Sequence, residues 1–152
     1  MQPKDFTNDN EWYTPKYIVD MFGHFDYDPA TTEYKAKEFN IKNYDTIETN
    51  GLNRDWTKFK RIWINPSFTN KKEFLTKAVE TYNAVHNEIY FVLPIQYITT
   101  QQFHKIVTGA KFYLPTKRIK FEKCGVEYNT APAFGSIIIK LDSKWTIEIL
   151  EI

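Results

Sequence analysis

A single cysteine, Cys124, is present among 152 residues. One thiol excludes an internal disulfide and any metal site built from several thiolates. His24, His86 and His104 lack the spacing of metal ligands, so no metal is expected. Long apolar runs are also missing, and none approaches the roughly 18 residues that a membrane span needs. The opening Met1-Gln2-Pro3-Lys4 has no apolar stretch of the signal-peptide kind. From these absences we expect a soluble cytoplasmic protein with no membrane partner. Glycine is sparse, at 23, 51, 109, 125 and 135 only. No Gly-x-Gly loop is therefore present to let a cofactor approach the backbone closely. The net charge of +1 gives the whole molecule little attraction for a polyanion.

Aromatic residues are what the chain has in excess: 12 Phe, 10 Tyr and 4 Trp. Such rings can fill a core, and they can stack on bases or adenosine; composition does not separate the two uses. Charge, though near balance, is unevenly spread. Acids outnumber bases before residue 60, and bases outnumber acids after it. Lys105, Lys111, Lys117, Arg118, Lys120 and Lys123 have Glu122 as the one acid among them. A stretch of that kind can neutralise a few backbone phosphates, or it can form a solvated lysine face.

The length suits one domain over 1–152, and no repeat, low-complexity tract or linker divides it. Residues 1–11 are polar and read as a flexible arm. Tyr17, Ile18, Met21 and Phe22 lie on one helical face after Pro15, a residue suited to a first helical position. Phe25 to Asp28 reads as a strand ending at Pro29, and residues 40–58 as an extended loop. Arg61 to Asn65 is an apolar strand that stops at Pro66. Phe74, Leu75, Ala78, Val79 and Tyr82 then have helical spacing. Glu88 to Leu93 is a further strand, and Thr99 or Thr100 can cap a helix through Val107. Phe112–Leu114, Ile119–Phe121, Ser136–Leu141 and Trp145–Leu150 read as strands, the last two joined as a hairpin through Asp142-Ser143-Lys144. The expected fold is α/β and three-layered, with a mainly parallel sheet and an antiparallel C-terminal hairpin at one edge. In such sheets ligands bind at the carboxyl ends of strands, where Asp28-Pro29 and Asn65-Pro66 both fall.

Trp63-Ile64-Asn65-Pro66-Ser67-Phe68 carries the clearest chemistry. An exocyclic amine is a weak nucleophile because its lone pair is delocalised into the ring. The Asn65 side-chain oxygen and the Pro66 backbone carbonyl can each accept one of its N–H groups, which draws the nitrogen toward a tetrahedral arrangement. Proline at 66 fixes φ and helps to pre-position that carbonyl. Phe68 can stack on an extruded base. The plainer reading is a strand end followed by a turn, since Asn-Pro is a common turn dipeptide.

The surrounding motifs, from Trp12 to about Leu141, resemble the phage-type DNA N-6-adenine-methyltransferase (Dam) family. Trp12-x-Thr14-Pro15 is similar to the family's opening motif, and Phe25-Asp26-Tyr27-Asp28-Pro29-Ala30-Thr31 to its second. Gly51-Leu52-x-x-Asp55-Trp56 matches a signature just before the catalytic strand, and Asn65-Pro66-Ser67-Phe68 stands where the family has Asn/Asp-Pro-Pro-aromatic. Lys117-Arg118-Ile119-Lys120-Phe121 and Ala133-Phe134-Gly135-Ser136 resemble later elements.

The resemblance implies a Rossmann-like, S-adenosylmethionine-dependent methyltransferase of bacteriophage type, acting on adenine N6 in double-stranded DNA by direct transfer to a flipped base. Asn65, Pro66 and Phe68 would be catalytic. Thr14, Pro15, Asp28, Pro29, Ala30, Asp55 and Trp56 would bind the cofactor, with Asp28 facing its ammonium or ribose hydroxyls and Asp55 its adenine amino group. Lys117, Arg118 and Lys120 would contact DNA. Ser67 departs from the family's second proline, and the missing glycine pair leaves Asp28-Pro29-Ala30-Thr31-Thr32 to supply the cofactor turn. Two other readings stay open: a catalytically silent DNA-binding module of the same fold, and N4-cytosine methylation.

Overall fold

Apolar residues alternate, or run unbroken, along the segments that become strands, and this sets the layers. The structure is a computed structural model that describes residues 13–66, 70–123, 126–127 and 135–152. Seven strands form its sheet: β1 (Tyr27–Asp28), β2 (Asn43–Tyr44), β3 (Arg61–Ile64), β4 (Glu88–Pro94), β5 (Ala110–Pro115), β8 (Ser136–Leu141) and β9 (Thr146–Leu150). Two further strands, β6 (Glu122–Lys123) and β7 (Val126–Glu127), pair antiparallel with each other. The order across the sheet is β2-β1-β3-β4-β8-β5-β9. Every neighbouring pair is parallel except those that β8 makes with β4 and β5.

The central strand β4 reads Ile-Tyr-Phe-Val-Leu without a polar break, and all five residues are buried. That is the mark of a strand covered on both faces. Ile89, Phe91 and Leu93 join Ile62 and Ile64 of β3 in one core, while Tyr90 and Val92 join Trp63 in another. The first core is closed by helices α3 (Lys71–Val85) and α4 (Gln101–Ile106), through Phe74, Leu75, Ala78 and Phe103. The second is closed by α1 (Lys16–Asp20), α2 (Glu33–Glu38) and the segment carrying Ile119 and Phe121. Fully burying one such apolar side chain stabilises by about 2 kcal/mol, so these two layers define the fold.

Helices α3 and α4 begin and end close to where the periodicity places them. Thr100 caps α4 by accepting from the Phe103 N–H at 3.2 Å. Helix α2, by contrast, is not expected from the sequence. It is short, capped by the Thr32 hydroxyl, and buries Lys35 beside Ala36, so a charge interrupts the apolar signal. Residues 119–121 are buried at Ile119 and Phe121 as a strand would require, yet they are irregular; the strand starts at Glu122.

The C-terminal hairpin is corrected by the topology. β8 and β9 are joined by a short turn, but β5 lies between them. The turn steps over the start of β5, and Gly109 makes the crossing possible. A Cβ at Gly109 would sit 2.5 Å from the Asp142 carbonyl oxygen, and the Asp142 N–H donates to the Gly109 carbonyl at 3.2 Å. The antiparallel strand is thus internal rather than at an edge. No described helix is long and apolar enough to cross a membrane.

Candidate active site

Strand β1 is flanked by β2 on one side and β3 on the other. After β2 the chain crosses back over β1, so the connections leaving β1 and β3 diverge at their carboxyl ends. A crevice opens there. It holds a cavity of about 300 Å³, with Pro29, Ala30, Thr31 and Thr32 after β1, Thr46 and Ile47 after β2, and Asn65 and Pro66 after β3. Asn50, Gly51 and Leu52 form one wall, and Asn70 and Phe74 of the α3 N-terminal region another. A smaller inner cavity continues beneath it, lined by Thr14, Asp28, Lys35 and Asn65 among others.

The strand-end motifs therefore meet. Asp28, the last residue of β1, is 2% exposed; its Oδ1 accepts from the Ala30 N–H at 3.0 Å. Burial pushes this carboxyl up to about 7, and the Ala30 hydrogen bond only partly opposes the rise. Asn65 stands at the end of the neighbouring strand. Its side-chain Nδ2 donates to the Thr14 Oγ1 at 3.0 Å, tying the segment before α1 to the end of β3. Pro15 is the N-cap of α1 rather than its first helical residue, and no side chain caps that helix; Thr14 spends its hydroxyl on Asn65.

The Gly51-Leu52-x-x-Asp55-Trp56 segment builds the wall. A Cβ on Gly51 would lie 2.1 Å from the Pro29 carbonyl oxygen, so only glycine lets this loop rest on the turn after β1. Trp56 is buried and donates its indole N–H to the Gly51 carbonyl at 2.8 Å, which locks the loop. Asp55 points elsewhere. It is exposed and accepts from the Thr57 N–H at 2.9 Å and hydroxyl at 2.7 Å, and these bonds hold its carboxyl below the usual range. Asp55 and Trp56 line a separate open depression on α3. The structure therefore does not bring Asp55 to the cavity, and Trp56 acts through Gly51.

Beside the wall, Asp45 receives the Tyr27 hydroxyl at 2.6 Å and a two-pronged bond from Arg54, at 2.5 and 3.0 Å. Burial would raise the Asp45 carboxyl, but the bonds from Arg54, Tyr27 and Thr49 outweigh it and hold the group low. Burial and the Asp45 carboxylate both push the Tyr27 phenol strongly up. This network braces the loop that leads from β2 to the cavity.

Lys35 is 1% exposed, and nothing in the sequence marks it as part of the site. Its Nζ donates to the Thr14 carbonyl at 3.4 Å, to Glu38 at 2.9 Å and to Glu122. Tyr13, which lines both cavities, makes paired backbone bonds with Glu122 at 2.9 and 2.8 Å. This pairing ties Tyr13 to the end of the basic segment. Lys117, Arg118 and Lys120 are exposed on it, while Ile119 and Phe121 anchor it in the core. Thr31 and Thr32 line the cavity from the turn that the sequence assigns to the cofactor, whereas Thr46 and Asn50, in the segment after β2, escape a reading of the sequence. Phe68, Ser67, Trp12, Ala133 and Phe134 lie outside the described residues, as does the arm expected over 1–11. Among the described residues no cluster of three His, Cys, Asp or Glu side chains occurs.

Comparison with known proteins identifies the family. The model of the family described as DNA N-6-adenine-methyltransferase (Dam) matches residues 4–152. The chain is also similar to a DNA N-6-adenine-methyltransferase of Escherichia phage T1, with 32% identity over 87 residues. That alignment covers 55% of this chain and 35% of the phage T1 protein, so the chain spans about a third of the length of the relative it matches.

Proposed function

Because the chain belongs to the DNA N-6-adenine-methyltransferase (Dam) family, we propose that it transfers a methyl group from S-adenosylmethionine to adenine N6 in double-stranded DNA. The observation that carries this reading is the meeting of Asp28 and Asn65 at the ends of adjacent parallel strands, around one crevice. The crevice suits the cofactor chemically. Its volume falls at the lower end of small-molecule sites, roughly 300–1,000 Å³. A buried carboxylate can accept from an ammonium or from ribose hydroxyls. Pro29, Leu52 and Phe74 offer apolar surface to a heterocycle, and Thr31, Thr32 and Thr46 surround it with hydroxyls. The turn after β1 has no glycine pair, but Ala30 is small, and the Gly51 loop packs directly on Pro29.

When bound, S-adenosylmethionine supplies an electrophilic methyl group. The protein's part is to hold the target amine. Asn65 Oδ1 and the Pro66 carbonyl accept its two N–H groups, which localises the nitrogen lone pair and aims it at the methyl group. Phe68 holds the base once it is extruded from the duplex. No covalent intermediate is needed, because the amine itself attacks and its proton leaves after transfer. Lys117, Arg118 and Lys120, exposed on the segment that leads to Glu122, meet backbone phosphates. Neither acceptor requires a proline at 67, so with Ser67 there we expect reduced or retained transfer rather than its loss.

The test is direct. Unmethylated double-stranded DNA is incubated with the protein and methyl-labelled cofactor, then digested to nucleosides and analysed by mass. N6-methyl-2′-deoxyadenosine is the expected product. N4-methyl-2′-deoxycytidine would move the reading to cytosine, and DNA binding with neither cofactor binding nor label would leave a silent binding module. Asn65→Ala should lower transfer at least about 100-fold, in line with the loss of one preorganised transition-state partner. It should cost about 1 kcal/mol of stability for the hydrogen bond to Thr14. Wild-type turnover in this variant would remove Asn65 from the catalytic set.

A further inference from the structure

A primary amide is ambiguous at its end: rotated by half a turn, it offers NH2 where it had offered oxygen. In the proposed reaction only the oxygen is useful, because the target amine is itself a donor. Something must therefore decide which way Asn65 faces. Building on the proposed role of Asn65, we infer that Thr14 is the positioning residue that sets this choice.

Thr14 is 2% exposed, and its hydroxyl accepts from Asn65 Nδ2 at 3.0 Å. Thr14 lines only the inner cavity, whereas Asn65 lines both cavities and shares the larger one with Pro66. With its nitrogen bonded to Thr14, the amide turns its oxygen away from Thr14. The proposed role asks that oxygen to face the target amine beside Pro66. A hydroxyl can donate as well as accept; here it accepts, and the residue that carries it is held from the main chain. The buried Lys35 ammonium bonds the Thr14 carbonyl, and the Tyr13–Glu122 backbone pair holds the preceding residue. In this inference Thr14 acts through Asn65, in place of the cofactor contact that the family resemblance implies for it.

Thr14→Val keeps the shape and removes the hydroxyl, while Thr14→Ser keeps the hydroxyl. Three quantities separate the possibilities: kcat for methyl transfer, Kd for S-adenosylmethionine by calorimetry, and the Asn65 side-chain NH2 resonances of the labelled protein, assigned by their loss in Asn65→Ala. Thr14→Val should lower kcat by ~10- to 100-fold, the effect of a misplaced reacting partner. Cofactor Kd should stay unchanged, and Thr14→Ser should return kcat to within a few-fold of wild type. In wild type and Thr14→Ser, one Asn65 amide proton should exchange slowly with solvent; this holds the test even where the valine variant does not fold. An unchanged kcat in Thr14→Val, a weakened Kd with kcat intact, or fast exchange of both Asn65 protons in wild type would each overturn the inference. If Asn65→Ala itself turns over at the wild-type rate, the fault lies with the proposed role of Asn65 and not with Thr14.

Discussion

Asp28 is held in a position that costs the fold something. Its carboxyl is buried and ionises near 7, at about 7 in the native protein, against roughly 3.9 in an unfolded chain. Between those values the native state keeps a proton that the unfolded state has lost. Stability must then fall as pH rises from about 4 to about 7 and level off above. Asp28→Asn cannot ionise, and its side-chain oxygen can still accept from Ala30. We expect this variant to lack that decline and to exceed wild type at pH 8 by on the order of a few kcal/mol. Denaturant titrations at pH 4, 6 and 8 check this, and parallel pH slopes for the two proteins would refute it. Under the proposed function the same variant binds S-adenosylmethionine poorly, and wild-type affinity rises with pH through about 7 as the carboxylate forms. The group that weakens the fold is the one that the ligand requires.

At the scale of elements, the wall loop is the most exacting part. Gly51 rests on Pro29, and Trp56 holds Gly51. A methyl group at Gly51 would meet backbone at 2.1 Å, which no side-chain rotation can relieve. Gly51→Ala should destabilise by about 1–3 kcal/mol and weaken cofactor binding, as read by thermal melts with and without S-adenosylmethionine. Wild-type melting in both conditions would mean that the loop can shift freely.

The Gly51-Leu52-x-x-Asp55-Trp56 signature is legible in the sequence, but its meaning is not. Spacing alone cannot say that the glycine serves a close approach and the tryptophan serves the glycine. The unbroken apolar run of β4 and the periodicity of α3 give those elements away, because each buries a simple face. Helix α2 stays hidden because its buried residue is Lys35, whose partners come from distant segments. Asn65 and Asp28 are recognisable as strand-end residues. The Thr14 hydroxyl bond is not, since it joins positions 51 residues apart. The position of β9 is hard to read for a related reason. A short turn normally joins paired strands, and the licence for the exception lies in Gly109, far earlier in the chain.

For the whole molecule, charge is the property that reaches furthest. A net +1 gives weak overall steering, so under the proposed function attraction to DNA comes from a local patch. The basic segment offers Lys117, Arg118 and Lys120, seated on the buried Ile119 and Phe121. Replacing Arg118 and Lys120 together by alanine should weaken DNA binding across sequences. It should also reduce the slope of log affinity against log salt by about 2, close to 0.9 for each phosphate that is no longer neutralised. Binding isotherms at several salt concentrations measure it; an unaltered slope would return both residues to a solvated face.

The place of β8 has a consequence for the order in which the molecule can be made. Strands β2, β1, β3 and β4 are complete by residue 94, and β5 by residue 115, but β4 and β5 do not touch as partners. Only β8, emerging after them, fills the space between. Until then the β4 edge that β8 covers has no partner strand, and neither has β5 on either side, since β9 emerges later still. The strand that joins the halves is thus also a delay, and during synthesis those edges stay available to any other extended chain.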